Sequence, residues 1–354
     1  MKKITALLLV LIISISVFSV NASAFGGYAH YTMGALIAVE SDRSDKLKLA
    51  YASGCLLADI GSTTWDTKLR KWYKENNYPS EYYTKNPATD EYNKKFFASD
   101  EYLFTEAMYD ISKQIDGFSA SSKVMAYGWR DHYIQDQYGK ISKIPSRPWK
   151  KYSLDCGWID EYLRDESIFS DYPIQDNALD EIYISYALIR KTYEAITNGE
   201  ISPSNDEIKE EIKDMFAAYD ALILVNTFGW SETQISEINN ELLRTMELCP
   251  GPYASHPSNY EKDKELEIKT SIYLSAATNT STNKLITKTT ETDNTIVYDD
   301  LSNSDLKKLT QYMKIEEKTI SDDEAYISIS ITNENAYNQN LNRICTEKLS
   351  VVSK

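Results

Sequence analysis

The chain has 354 residues, long enough for one large or two medium domains, each with its own core. Its formal net charge of −15 argues against a sequence-independent grip on nucleic acid, because that grip rests on Lys and Arg neutralising phosphates. An enzyme that meets a single phosphodiester through a bound cation is not excluded, since the ion reverses the local field.

Lys2 and Lys3 precede an apolar run over residues 7–13, and Ala22-Ser23-Ala24 supplies a small-x-small cleavage pattern. Residues 1–24 therefore read as a bacterial-type export signal, with a secreted mature chain expected to begin at Phe25. The run is short for a membrane span, and no later stretch reaches the roughly 20 apolar residues a span requires. The mature chain opens Phe25-Gly26-Gly27-Tyr28-Ala29-His30 and continues in a helical pattern, which puts His30 in a first helical turn. A second helix over residues 45–57 runs into Ala58-Asp59-Ile60-Gly61. A carboxylate at such an apolar helix end is costly unless it is paired, bound to metal or turned to water, and these alternatives stay open for Asp59.

Residues 62–98 are rich in Tyr, Lys, Asn and Pro without a firm period and read as a long loop with short helical pieces, a place where function often resides. Residues 99–115 form an amphipathic helix, and residues 125–139, MAYGWRDHYIQDQYG, form the next. There Gly128, His132 and Asp136 recur every four residues, which stacks them on one helix face. An imidazole and a carboxylate then converge, and Gly128 leaves room for another element to approach. An isolated H-x-x-x-D also suits a half-buried helix whose histidine bonds a neighbour, so its weight depends on partners elsewhere.

Further helices are expected over residues 157–165 and 177–196, after a Ser204-x-x-Glu207 capping box, and after Ser231-x-x-Gln234. The side facing Ile208, Ile212, Met215, Phe216 and Tyr219 is core. Beyond residue 257 Thr, Ser and Asn become frequent; residues 268–274 and 325–331 alternate like strands, and residues 304–314 and 334–348 look helical. The expected organisation is a mainly α, multi-helix domain over residues 25–258 and a small mixed or loosely ordered C-terminal appendage over residues 259–354. Cys55, Cys156, Cys249 and Cys345 include no C-x-x-C pair, so disulfides are allowed but not required.

F-G-G-Y-A-H, G-C-L-L-A-D-I-G and G-W-R-D-H-Y-I-Q-D, in this order after an export signal, resemble the zinc-dependent phospholipase C and fungal single-strand-specific nuclease superfamily. The resemblance covers roughly residues 25–169. It implies an all-helical fold with zinc ions at the floor of a cleft. One ion is implied to take the backbone amine and carbonyl of Phe25 with His30 and Asp136. A second takes Asp59, His132 and, as a bridge, Asp136. The histidine expected to complete the ligands of this second ion is replaced by Phe97. A third site lacks its histidines: Cys156 and Asp160 have the right mutual spacing, but Tyr152 and Cys156 align about as well, and His256 sits in a turn-like context. The implied centre is thus a reduced two-zinc site, in which three ligands and an open position suit hydrolysis.

The expected activity is hydrolysis of a phosphodiester, with Asp59 as the group that orients or deprotonates water. A phospholipid, met by peripheral contact with a membrane surface, is preferred over nucleic acid because the chain is acidic. Two alternatives are a nuclease-like phosphodiesterase and a catalytically inactive relative that keeps the fold as an extracellular binding or structural module.

Overall fold

Long stretches of small and aromatic residues that show little polar alternation belong in a helix buried on most sides. Three such helices make the centre of this protein in a computed structural model that describes residues 27–61, 64–77, 102–141, 181–225, 245–253 and 301–352. They are α1 (Gly27–Val39), α2 (Asp45–Leu57) and α5 (Ala120–Ile141). Around them lie α3 (Thr64–Glu75), α4 (Tyr102–Gln114), α6 (Tyr186–Ile196), α7 (Asn205–Val225), α8 (Asn303–Thr310) and α9 (Glu334–Val352). The described residues are thus mainly helical, as expected.

The crossing of α2 with α5 is the most extensive helix contact of the fold, and two glycines explain it. A Cβ on Gly128 would lie 2.0 Å from the Tyr51 carbonyl oxygen, and one on Gly54 would lie 2.1 Å from that of Met125. Each glycine therefore seats the other helix's backbone, at a distance no side chain permits. Gly34 on α1 likewise leaves room for the Cys55 side chain and the Ala52 Cα of α2. The room foreseen at Gly128 is filled by α2.

One sheet completes the core. Its antiparallel strands run in the order β1 (Ile182–Ser185), β3 (Glu324–Ile331), β2 (Met313–Ser321), with Ile182 opposite Ile327 and Tyr183 opposite Tyr326. β1 corrects the continuous helix expected over residues 177–196. Ile182, Tyr183 and Ile184 are all buried, and a run so rich in β-branched and aromatic groups takes the strand form once β3 offers it a partner. The helix begins only at Tyr186, where Ser185 Oγ accepts the Leu188 amide. The helix expected over residues 304–314 likewise stops at Thr310, and Met313 starts β2.

Within residues 62–98, expected as a long loop with short helical pieces, α3 is a longer helix than that, about three turns, and buries Leu69, Trp72 and Tyr73. Residues 78–98 lie outside the described residues, as do the strand expected at 268–274 and the helix at 157–165. The Ser204–Glu207 box forms as foreseen, with the Ser204 amide donating to Glu207 Oε2 at 2.9 Å and the Glu207 amide to Ser204 Oγ at 3.2 Å.

The described part of the C-terminal segment packs into the main core. Leu306, Leu309, Tyr337, Leu341 and Ile344 join the same buried cluster as Trp129 and Phe216, and β3 lies between β1 and β2. The β2–β3 turn is tied to the helical part: Asp323 accepts from Arg190 at 2.7 Å, and its carbonyl accepts the Tyr186 amide. Among the described residues no helix is long and apolar enough to cross a membrane.

Candidate metal centre

Helix α1 delivers His30 from its first turns, α5 delivers His132 from its buried middle, and a 3-10 turn at Ala58–Gly61, directly after α2, delivers Asp59. Both imidazoles are fully buried. One donor atom from each of the three residues lies within 4.8 Å of the other two, which makes them a group able to hold a metal ion. His132 Nε2 is 3.4 Å from Asp59 Oδ1, and the two histidine rings pack with centroids 3.8 Å apart.

Each of these side chains is held from behind. His132 Nδ1 lies 2.6 Å from the Cys55 carbonyl oxygen. A carbonyl can only accept, so Nδ1 carries a proton, and Nε2 is the nitrogen turned toward Asp59. His30 Nδ1 lies 2.7 Å from Gln135 Oε1. Asp59 Oδ2 accepts the Tyr219 hydroxyl at 2.6 Å, leaving Oδ1 toward His132. Such outer partners fix tautomer and orientation in metal sites.

A second polar cluster forms around Asp131, the residue before His132. Asp131 is fully buried and accepts Tyr51 Oη at 2.6 Å, the Gly251 amide at 2.8 Å and Arg130 Nε at 3.0 Å. Burial raises its pKa, while Arg130, Tyr51 and the Gly251 N–H oppose the rise. Arg130 also donates to the Tyr253 carbonyl at 3.3 Å, so the pair pins residues 251–253 against α5. Positive φ at Gly251 turns the chain into this contact. Burial pushes the thiols of Cys55 and Cys249 well up, which keeps them protonated and unsuited to bind metal as thiolates. Both are free, as is Cys345.

Of the five metal ligands expected from the sequence, the structure thus brings together His30, Asp59 and His132. Asp136 lies on α5 one turn beyond His132, but its side chain is outside the described part, and Phe25 lies outside the described residues altogether. The same holds for Phe97, Tyr152, Cys156, Asp160 and His256. Sequence reasoning passes over Gln135, Tyr219 and Asp131. Tyr219 reads as one more apolar position of α7, and nothing local marks a tyrosine whose hydroxyl meets a carboxylate on a distant turn. Asp131 carries a signal, a charged pair Arg130-Asp131 directly after the apolar and small run of residues 124–129, which can only be buried if it is satisfied.

The donor types fit divalent zinc. Two neutral imidazole nitrogens and a carboxylate oxygen are among its ordinary ligands, and bonds of 2.0–2.2 Å in a tetrahedron set donors about 3.4 Å apart, the spacing of His132 Nε2 and Asp59 Oδ1. No family model, curated protein or solved structure matches the chain, so these three converging side chains carry the functional assignment.

Proposed function

We propose that the chain is a secreted, zinc-dependent phosphodiester hydrolase of phospholipase C type. The observation that carries this is the convergence of His30, Asp59 and His132, from three separate stretches of sequence, at the positions that the resemblance assigns to metal ligands. The ring spacing supports a centre of two ions. Centroids 3.8 Å apart are closer than the roughly 5 Å expected for two imidazoles on one tetrahedral zinc. Two neighbouring ions would relieve this: Asp59 and His132 would hold one and His30 the other, with Asp136 and the Phe25 backbone completing them as the resemblance implies.

When bound, zinc supplies Lewis-acid polarisation of a phosphoryl oxygen and eases deprotonation of water. The protein residues do the positioning. The Cys55 carbonyl and Gln135 present both histidines through Nε2. Tyr219 holds one oxygen of Asp59, so that the other is aimed at the centre as a ligand, and while partly free of the metal it would orient or deprotonate an attacking water. Full burial of both imidazoles excludes bulk water from behind and strengthens every charge interaction in front. The net charge of −15 favours a lipid phosphodiester over a nucleic-acid chain as substrate.

The test is metal analysis of the mature protein together with hydrolysis of phosphatidylcholine vesicles, single-stranded DNA and a small chromogenic phosphodiester. Bound zinc, release of phosphocholine and loss of both in His132→Ala and Asp59→Asn are expected. Cleavage of DNA alone points to the nuclease-like alternative. A wild-type protein that binds no zinc overturns the proposal.

A further inference from the structure

Gln135 stands on α5 three residues after His132 and is fully buried. Its amide has two different ends, and in this position they do different things. Oε1 lies 2.7 Å from His30 Nδ1, while Nε2 faces Cys55 Sγ at 4.0 Å. Cys55 is also the residue whose carbonyl holds His132 at 2.6 Å. One buried side chain therefore connects the supports of both histidines.

The direction of the amide decides the chemistry of His30. With Oε1 toward the ring, Nδ1 must donate, so it carries the proton and Nε2 keeps its lone pair. With the amide reversed, Nδ1 would accept from the NH2 group, and a neutral ring would carry its proton on Nε2, where it could no longer bind metal. A neutral amide also orients the imidazole without adding charge beside Asp59, as a carboxylate in its place would.

We infer that Gln135 is a positioning residue for the metal centre: its buried amide oxygen fixes His30 as the Nδ1-protonated tautomer and so presents Nε2 to the ion. This rests on the metal centre proposed for His30, Asp59 and His132. Outer partners of ligating histidines are worth roughly 10- to 100-fold in metal affinity, which sets the expected effect of removing this one.

The experiment has two arms. In the first, long-range 1H–15N spectra of metal-free protein assign the tautomers. His30 in the wild type is expected as the Nδ1-H form, and in Gln135→Leu as a mixture. In the second, zinc is titrated against a chromophoric chelator. Gln135→Leu is expected to bind roughly 10-fold more weakly or worse, whereas Gln135→Glu, which keeps an acceptor oxygen, stays within a few-fold of wild type. Far-UV circular dichroism of the metal-free variants checks that they fold, and Gln135→Met replaces the leucine variant if that one does not. A wild type that binds zinc, beside an apolar variant with the same tautomer and the same affinity, overturns the role of Gln135 alone. His30 found as the Nε2-H form in the wild type does so too. A wild type that binds no zinc overturns the metal centre and this role together.

Discussion

Replacing Gly128 with alanine tests how α5 is placed. A methyl group there would sit 2.0 Å from the Tyr51 carbonyl oxygen, 2.9 Å from the Cys55 nitrogen and 3.0 Å from the Tyr51 carbonyl carbon. Carbon–oxygen contacts settle at about 3.3–3.6 Å, and all three obstacles are backbone, so α2 and α5 must part by more than about 1 Å. Overpacking of this kind costs about 1–3 kcal/mol and sometimes more, against a helix-propensity gain of about 1 kcal/mol for Gly→Ala. With a clash against main chain at the upper end of that range, a net loss of about 2 kcal/mol is expected. Urea unfolding followed by circular dichroism measures it. The His132 Nδ1 bond to the Cys55 carbonyl crosses the same interface at 2.6 Å, so zinc affinity should fall with stability. Gly54→Ala should behave alike, its Cβ meeting the Met125 carbonyl oxygen at 2.1 Å. Because one parting of the helices relieves both clashes, the double variant should cost clearly less than the sum. A Gly128→Ala protein as stable as wild type or more so, as propensity alone demands, would refute the close crossing.

Asp131→Ala should lose about 3–5 kcal/mol, because it leaves Arg130 buried without its carboxylate and strips a partner from Tyr51 and the Gly251 amide; a loss under about 1 kcal/mol in urea would show the cluster to be dispensable. Burial and the neighbouring Glu210 push the half-buried Asp214 carboxyl up to about 6. Its unfolded value is about 3.9, so the folded state holds the proton more tightly and stability falls as pH rises from about 4 to 6. Discounted for partial exposure, the share is about 1–2 kcal/mol. Asp214→Asn should therefore be more stable than wild type at pH 7 by that amount and equal to it near pH 4, and parallel stability curves for the two proteins would contradict this. Tyr219→Phe removes the donor to Asp59 Oδ2 and should weaken zinc binding about 10-fold while costing only about 1 kcal/mol of fold stability; competition titration and urea unfolding separate the two effects.

The parts of this protein legible in sequence are those written in neighbouring residues. The helix of residues 45–57 ends in an apolar run and a turn, and its limits match α2. The Ser204–Glu207 box announces α7 through two bonds spanning three residues. The four-residue spacing of Gly128 and His132 needs only a helix to share one face. Of the centre itself, His30, Asp59 and His132 could be nominated because each is chemically conspicuous where it stands: a histidine in a first turn, a carboxylate after an apolar helix, an imidazole in the middle of another.

What only the tertiary structure decided are the relations between distant stretches. Ile182 to Ser185 shares helical spacing with the residues of α6, yet it is a strand, because β3 supplies ladder partners that no local pattern can contain. α3 was hidden in a segment rich in Tyr, Lys, Asn and Pro and shows itself through the burial of Leu69, Trp72 and Tyr73. The supports of the centre are of the same kind. Tyr219 reaches Asp59 and Gln135 reaches His30 only after α7, α5 and α1 have packed. Periodicity reports which face of an element is buried, since that depends on neighbours along the chain. Which side chain meets which across a core depends on how close the backbones come, and here that closeness was set by two glycines, Gly54 and Gly128, each seating the other's helix.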